Sequence, residues 1–310
     1  MAWASSTQDA EPLESMISRI ANTNMEGELV SVGQNFESIL RGNSDPLETM
    51  FRNGLVSDHH GELCNRISSC RQLRGWLDAI ARKNPRMKII EIGAGTGSIT
   101  GHILEPLQLH GHAADGVTRL AQYDYTDISE AFFEHAQEKF GSAKAQMNFK
   151  ILNIEKDPAS QGYAEGSYNL VVAAWVLHAT LDLAATVRNV RKLLRLLGKL
   201  VLLEVTRPDI LRNGFAFGLL PGWWLNTERY REWSPCLLQE QWHHVLTTEG
   251  FSGVDFILPD YQIEDCQENS IMIATATVES HRGSQSKKIT FVVDAASSAQ
   301  AAVADRIRQI

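Results

Sequence analysis

Cysteine is scarce in this sequence and never occurs in paired spacing. The cysteines are Cys64, Cys70, Cys236 and Cys266. Because there is no C-x-x-C pair, the pattern argues against a zinc site or a disulfide framework. The thiols are predicted to be reduced and mostly buried, and no metal is expected.

Long apolar runs, a secretory leader and runs of basic residues are missing as well. No stretch approaches the roughly 20 apolar residues of a membrane span, and no hydrophobic signal region opens the chain. The 29 lysines and arginines face 37 acidic residues, which gives a net charge of −8. This balance argues against a nucleic-acid binder that tracks phosphates. The chain is predicted to be soluble and cytoplasmic, without membrane contact.

The stretch around which the chain is organised is residues 88–100, which read KIIEIGAGTGSIT. An apolar, β-branched run typical of a buried parallel strand breaks into Gly93, Gly95 and Gly97 before a helix-compatible segment. Such a turn lets backbone approach a ligand closely, and a helix start offers unpaired N–H groups. The turn fits G-x-G-x-G but not the dinucleotide pattern G-x-G-x-x-G, since Ser98 stands where its third glycine belongs. A nucleotide-like ligand is predicted, with a purely structural turn as the alternative.

The chain divides into three predicted parts. Residues 1–82 have helical patterns and predict an N-terminal cap, residues 83–280 alternate strands with helices, and residues 281–310 have the pattern of a linker and the start of a following domain. With 44% hydrophobic residues, the chain can bury a large core. The alternation predicts an α/β fold with a doubly wound, mostly parallel sheet, whose ligands bind at the carboxyl ends of the strands.

The predicted parallel strands span residues 88–92, 120–125, 148–152, 168–174 and 199–205, and an antiparallel pair is predicted at 254–257 and 270–278. An amphipathic helix is predicted over residues 183–196, ended by Gly198. A last helix is predicted to begin at Ser234-Pro235 and to end at Gly250.

An acidic residue, Asp127, closes the second predicted strand beside the glycine turn. A carboxylate at this position can accept hydrogen bonds from a ribose diol. The same residue also precedes a helical pattern, where aspartate is a common N-cap. Position alone leaves both roles open.

His178 and Glu204 lie at the ends of the fourth and fifth predicted strands. Because these strands are neighbours in such a fold, the two side chains can meet in the crevice above the glycine turn. A histidine oriented by a carboxylate can abstract a proton. Taken singly, His178 fits a helix start and Glu204 a helix cap, but their joint placement favours a catalytic pair.

Two other segments have weaker patterns. Residues 207–230 contain FAFGLLPGWWL, which is too irregular for one strand or helix and predicts either a lid or wall of a hydrophobic pocket, or core packing. The adjacent Trp223 and Trp224 cannot easily face one interior, which favours the lid. In the predicted cap, His59 and His60 are interpreted as solvated polar residues in a loop.

Taken together, these motifs resemble the class I S-adenosylmethionine methyltransferases, and more closely the C-methyltransferase domain of fungal highly reducing polyketide synthases. The matching segments are KNPRMKIIEIGAGTGSIT, YDYTDIS, FFEHA, FKILNIEKDP, GSYNLVVAAWVLHAT, GKLVLLEVTRP, FGLLPGWWL and GFSGVD. The resemblance implies a Rossmann-like, mostly parallel seven-stranded sheet with helices on both faces. It also implies S-adenosyl-L-methionine as cofactor.

The resemblance further implies roles for particular residues. His178 and Glu204 would form a catalytic dyad. The implied cofactor-binding residues are Glu91, Gly93, Ala94, Gly95 and Gly97 in the turn, Asp127 on the ribose, Asn153 and Ile154 beside the adenine, and Ala174.

The chain departs from the family at three places. Trp175 stands where the family usually has asparagine, Leu196-Leu197-Gly198 where it has Pro-Gly-Gly, and Asp58-His59-His60 where it tends to carry aromatics. The implied function is methylation of the α-carbon of a β-ketoacyl thioester on an acyl carrier protein, next to other polyketide synthase domains. The alternatives are a small-molecule O-methyltransferase and a catalytically inactive domain kept for structure or carrier docking.

Overall fold

The computed structural model describes residues 12–21, 27–51, 55–107, 119–143 and 145–277. The linker and following domain predicted at 281–310 lie outside the described residues. The division of the chain into a cap, a core and a following domain therefore stays a prediction.

A seven-stranded sheet forms the centre of the described chain. The strands are β1 (Met87–Ile92), β2 (Leu120–Asp127), β3 (Met147–Ile151), β4 (Tyr168–Ala174), β5 (Leu194–Val205), β6 (Phe256–Pro259) and β7 (Asn269–Thr275). They are ordered β3-β2-β1-β4-β5-β7-β6. β1 to β5 pair in parallel, whereas β7 runs antiparallel to both β5 and β6. The predicted mostly parallel α/β sheet and its antiparallel closing pair are confirmed.

Helices precede the sheet and connect its strands. The described helices are α1 (Leu13–Ile20), α2 (Gly27–Leu40), α3 (Pro46–Phe51), α4 (Leu55–Arg66), α5 (Ser68–Lys83), α6 (Thr100–Leu104), α7 (Phe133–Lys139), α8 (Leu183–Leu193), α9 (Leu211–Phe217) and α10 (Gln239–Thr248). Within the described ranges, none of them is long and apolar enough to cross a membrane.

The core has two layers because successive side chains of a strand point to opposite faces of the sheet. In β4, Leu170 and Val172 belong to the cluster that includes α5, whereas Val171 and Ala173 belong to the cluster that includes α8 and α10. All four side chains are fully buried. This burial on both faces is why the parallel strands have nearly continuous apolar sequences. Packing on both faces holds the carboxyl ends of β1, β4 and β5 side by side at one edge of the sheet.

The boundary between α8 and β5 differs from the prediction. The helix ends at Leu193 instead of residue 196, and Leu194 already pairs with Tyr168 of β4. Gly198 therefore does not end the helix. It lies within β5, where a Cβ atom would come within 2.8 Å of the Arg195 carbonyl oxygen and within 2.9 Å of the Leu194 side chain. The leucine-rich sequence suits a helix by pattern, but strand pairing at a bulge decides its structure.

The start of α10 was also predicted wrongly. Instead of opening a helix, Ser234 forms a local turn in which its Oγ accepts the N–H of Cys236 at 3.2 Å. The helix begins five residues after Ser234, at Gln239, and the Gln241 side chain accepts the Leu238 N–H at 2.8 Å. Serine satisfies backbone N–H groups in turns and in caps alike, so the Ser-Pro signal does not separate the two. The end of the helix before Gly250 is as predicted, with that glycine at φ +88°.

Candidate active site

The glycine turn after β1 is held in one conformation by its backbone. Gly93, Gly95 and Gly97 have φ values of +60°, +55° and +71°, a region that glycine enters without the steric cost other residues have. The Ala94 N–H donates to the Thr126 carbonyl oxygen at 2.9 Å, which ties the turn to the end of β2. At Gly93 a Cβ atom would lie 2.4 Å from Val176. The turn is therefore packed against the residues that follow β4.

Asp127, at the end of β2, is bound to the same turn. Its Oδ2 accepts the Gly95 N–H at 3.0 Å and its Oδ1 accepts the Ser129 N–H at 2.9 Å. The helical cap of the next segment is Ser129, whose side chain accepts the Ala131 N–H. The alternative N-cap position thus falls on Ser129, while the Asp127 carboxylate lies beside the glycine turn. Each carboxylate oxygen can accept two hydrogen bonds, so it retains capacity for a diol.

Glu91 is a fully buried carboxyl group on β1. Its Oε2 accepts hydrogen bonds from Tyr123 Oη at 2.5 Å and from Thr100 Oγ1 at 2.7 Å. Burial raises the pKa of Glu91 to about 7, and the two hydrogen bonds oppose this rise only in part. At neutral pH the buried group is therefore divided between its protonated and ionised forms, whereas an ordinary glutamate is ionised.

We expect Glu91→Gln to change how stability depends on pH. A folded-state pKa of about 7, above the ordinary value of 4.5, means that this group's contribution is present at low pH and is lost as pH rises through 7. Glutamine resembles the protonated form, so the variant should match the wild type near pH 4 and be more stable at pH 8, by on the order of 3 kcal/mol. Urea unfolding at several pH values measures this difference.

The exposed Glu165 provides the control for this experiment. Glu165→Gln should leave the pH dependence of the free energy of unfolding unchanged. If the Glu91→Gln and wild-type curves run parallel from pH 5 to pH 8, Glu91 does not titrate in this range.

The structure brings His178 and Glu204 together. Glu204 is fully buried in β5. Its Oε2 lies 2.5 Å from His178 Nδ1, and its Oε1 accepts the Leu177 N–H at 3.0 Å. One carboxylate thus orients the imidazole ring and also holds the backbone of the loop that carries it. This bond to Nδ1 leaves Nε2 available to accept a proton.

A second charged group, Arg231, holds the same loop. Its side chain is fully buried. The guanidinium donates to the carbonyl oxygens of His178 at 2.8 Å and Thr180 at 2.9 Å, and it pairs with Glu228 at 2.6 Å. Glu228 in turn accepts the Leu183 N–H at 2.9 Å. The loop around His178 is therefore fixed from outside the sheet, which the sequence did not reveal.

Trp175 follows β4 in a conformation that is unusual for a large side chain, with φ at +52°. Two hydrogen bonds hold it: its backbone N–H donates to Leu203 at 2.8 Å, and its ring Nε1–H donates to Asn269 Oδ1 at 3.0 Å. The Asn269 amide is itself bonded to the buried Asp260. A bulky residue persists at positive φ only where its surroundings impose it. The position of this ring is therefore fixed.

The interpretation of His59 and His60 as solvated loop residues is wrong. Both lie in α4, and His59 is buried. The ring of His60 stacks on that of Trp175, with centroids 4.7 Å apart and planes 18° apart. Their polar type suggested a solvated loop, but the tertiary packing of α4 places them beside the strand ends.

Two neighbouring cavities open at this edge of the sheet. One, of about 260 Å³, is mostly apolar and is lined by His178 together with Leu63, Val205, Phe217, Leu220 and Trp223, among others. We call it the apolar cavity. The other, of about 200 Å³, lies at the glycine turn and is called the turn cavity. The predicted site residues that line the turn cavity are Glu91, Gly93, Ala94, Gly95, Asp127 and Ala174.

Comparison with known proteins agrees with this geometry. Residues 90–200 match the family model described as a methyltransferase domain. The highly reducing polyketide synthase NEC1 of Pyricularia oryzae is 46% identical over 253 residues, which are 81% of this chain and 9% of that enzyme. The trans-methyltransferase CalH, solved in complex with SAH, superposes with a TM-score of 0.75 at 31% identity, covering 85% of this chain and 72% of CalH.

A solved CurJ carbon methyltransferase gives a TM-score of 0.69 at 30% identity and covers 87% of this chain and 72% of its own. The chain belongs to the polyketide synthase carbon methyltransferases. It therefore has the Rossmann-like fold of class I methyltransferases and uses S-adenosylmethionine as cofactor. The chain spans only about a tenth of the length of the polyketide synthases that it matches, 9% in the case of NEC1.

The turn cavity of this carbon methyltransferase fits its cofactor. It presents glycine backbone without side chains, a carboxylate with free acceptor capacity at Asp127, and the aromatic ring of Phe132. These groups suit the ribose diol and the flat base of an adenosyl ligand. When bound there, S-adenosylmethionine supplies a methyl group on a sulfonium, which is an electrophile.

Three residues assigned to the cofactor by the resemblance lie outside the lining of the turn cavity. Gly97 supports the turn, because a Cβ atom there would lie 2.6 Å from the Phe140 ring. The Asn153 backbone N–H donates to Gln161 at 2.9 Å, and Ile154 is buried in the core. Cofactor contacts by these residues stay predictions.

The turn cavity also has lining residues that the sequence did not single out for the cofactor. They are His60, Thr96, Ser98, Ile99, Phe132 and Trp175. Thr96, Ser98 and Ile99 could have been included, since they belong to the glycine turn itself. Phe132 and His60 come from separate helical segments, and no spacing rule connects them to the turn.

Proposed function

We propose that this carbon methyltransferase methylates the α-carbon of a β-ketoacyl thioester carried by an acyl carrier protein. The observation that carries the proposal is the His178–Glu204 pair at 2.5 Å, in a ring-lined apolar cavity adjoining the turn cavity. The two carbonyl groups beside the α-carbon make its protons acidic. A modest base such as histidine is therefore sufficient to remove one of them.

In the proposed mechanism, His178 Nε2 accepts the α-proton of the substrate. Glu204 fixes the tautomer with its Oε2 on Nδ1 and stabilises the imidazolium that forms. Arg231 donates a hydrogen bond to the His178 carbonyl oxygen and so helps to fix the position of the imidazole ring in the apolar cavity. The chain thus presents base and cofactor side by side, and proximity supplies a large part of the rate.

The segment from α9 to the turn at Pro221–Trp224 forms the proposed wall for the acyl chain. Trp223 is only 8% exposed and faces the apolar cavity, whereas Trp224 is 53% exposed. This difference supports the lid or wall interpretation. Phe36 of α2 stacks on Phe215 of α9 at 5.3 Å, so the N-terminal helices brace the same wall. Such a wall excludes water from an enolate.

The relatives support a proposal for the partners. NEC1 is described as a highly reducing polyketide synthase, of which the matched region is a small part. We therefore infer that the acyl chain reaches the apolar cavity on an acyl carrier protein and that other polyketide synthase domains act on it before and after methylation.

The test is methyl transfer to synthetic acyl thioesters that differ only at the β-position. We expect a β-ketoacyl thioester to be methylated at the α-carbon. The corresponding β-hydroxyacyl and saturated thioesters should not react, because their α-protons are far less acidic. Tandem mass spectrometry of the product locates the new methyl group on the α-carbon or on an oxygen.

A phenol serves as the competing acceptor in the same assay. Methylation of the phenol oxygen in preference to the β-ketothioester would contradict the proposal and favour an O-methyltransferase. S-Adenosylmethionine binding without transfer to any acceptor would favour a carrier-docking domain.

A further inference from the structure

The two cavities meet at a pair of aromatic rings. Among the described residues that line them, His60 and Trp175 are the two that line both. A methyl group that passes from a ligand in the turn cavity to a carbon in the apolar cavity must cross where the cavities adjoin. The reacting sulfur therefore lies next to these two rings, provided that the turn cavity holds the cofactor and the apolar cavity the acyl chain.

These rings belong to a longer stack. The His60 ring is nearly parallel to the ring of Trp175, at 4.7 Å and 18°, and to that of Phe217, at 6.5 Å and 15°. Phe217 continues to Trp223 at 6.1 Å and 15°. The Trp175 ring, held by Asn269 through its Nε1–H, lines both cavities. The two rings at which the cavities adjoin, His60 and Trp175, therefore belong to one set of nearly parallel rings, and we call these two rings the partition.

The partition carries no positive charge. Burial lowers the pKa of His60 to about 3, with further contributions from His59 and His178, so its imidazole is neutral at physiological pH. The face of an indole ring is negative and attracts cations that are desolvated beside it. A sulfonium is such a cation, whereas the sulfur of S-adenosylhomocysteine is neutral.

We propose that Trp175, with His60 stacked behind it, binds the sulfonium of S-adenosylmethionine through its ring face and so makes the site prefer the methyl donor over the demethylated product. This role is specific to an aromatic side chain at position 175. It makes Trp175 a residue that selects the charged form of the cofactor. The inference rests on the cofactor assignment and does not depend on which acyl substrate is used.

The test compares the affinities of S-adenosylmethionine and S-adenosylhomocysteine by calorimetry, with no acyl substrate present. In Trp175→Leu we expect the affinity for S-adenosylmethionine to fall by about two- to thirtyfold, while that for S-adenosylhomocysteine changes much less. Trp175→Phe should keep most of the preference. Trp223→Leu, at the far end of the stack, should leave the ratio of the two affinities unchanged.

A second series avoids any disturbance of the fold. Site-specific replacement of Trp175 by tryptophans with increasing numbers of fluorine atoms keeps the ring and its N–H but weakens the negative ring face step by step. The affinity for S-adenosylmethionine should fall in steps, and that for S-adenosylhomocysteine should stay level. Equal changes for both ligands, or none for either, would overturn the proposal and leave Trp175 as a packing residue.

Discussion

Replacing His178 by alanine is expected to reduce methyl transfer to a β-ketothioester by about 10²- to 10⁴-fold, the usual contribution of a general base. Cofactor binding should persist, because His178 lines the apolar cavity and not the turn cavity. Single-turnover methyl transfer and calorimetry with S-adenosylmethionine measure the two effects separately. His244→Ala, at an exposed histidine of α10, is the matched control and should keep full activity.

Glu204→Gln should cause a loss of similar size. Glutamine has one oxygen for two positions that both need an acceptor, the Leu177 N–H and His178 Nδ1. If the oxygen faces Leu177, the amide NH₂ faces Nδ1 and moves the ring proton to Nε2, where it blocks proton abstraction. If the oxygen faces Nδ1, the amide NH₂ faces the Leu177 N–H, and two donors oppose each other. Near-normal transfer in both the His178→Ala and Glu204→Gln variants would rule out this pair as the base.

The second large effect is expected for Gly93→Ala. Alanine at φ +60° costs about 1 to 2 kcal/mol, and its Cβ atom would lie 2.4 Å from the branched Val176 side chain. Overpacking of this kind adds about 1 to 3 kcal/mol. We therefore expect a loss of about 2 to 5 kcal/mol in the free energy of unfolding, together with weaker cofactor binding, since the turn must move. Urea unfolding and calorimetry measure these changes.

Gly166 separates the two causes of that loss. Its φ is +64°, close to that of Gly93, but a Cβ atom there would meet nothing within 4 Å. Gly166→Ala should therefore show the conformational cost alone, about 1 to 2 kcal/mol, with cofactor affinity unchanged. Equal losses in the two variants would mean that Val176 moves aside freely and that the turn is not packed against it.

The contact between His178 and Glu204 could be predicted from the sequence because it follows from sheet topology. His178 and Glu204 each lie at or just after the carboxyl end of a parallel strand, and β4 and β5 are neighbours in this fold. Their proximity can therefore be predicted without knowledge of side-chain packing. The same reasoning placed Asp127 beside the glycine turn, since β1 and β2 are also neighbours.

The rest of the site depends on contacts that no periodicity encodes. His60 reaches the strand ends from α4, and Arg231 reaches the His178 loop from a short turn after the wall. Arg231 is fully buried and His60 is partly buried, whereas sequence patterns assign polar residues to the surface. The start of β5 at Leu194 was missed for a related reason, because a leucine-rich segment suits helix and strand alike until its pairing with β4 decides.

The clamp made by Arg231 limits how this enzyme can be re-engineered. Its guanidinium joins the loop that carries His178 to the segment just after the hydrophobic wall, through the carbonyl oxygens of His178 and Thr180. Grafting a relative's wall to admit a different acyl chain would also replace Arg231, which holds the His178 loop, if the graft extends past Glu228. A chimera designed for new substrates should therefore end its graft before that residue, or transfer the anchor and the loop as one unit.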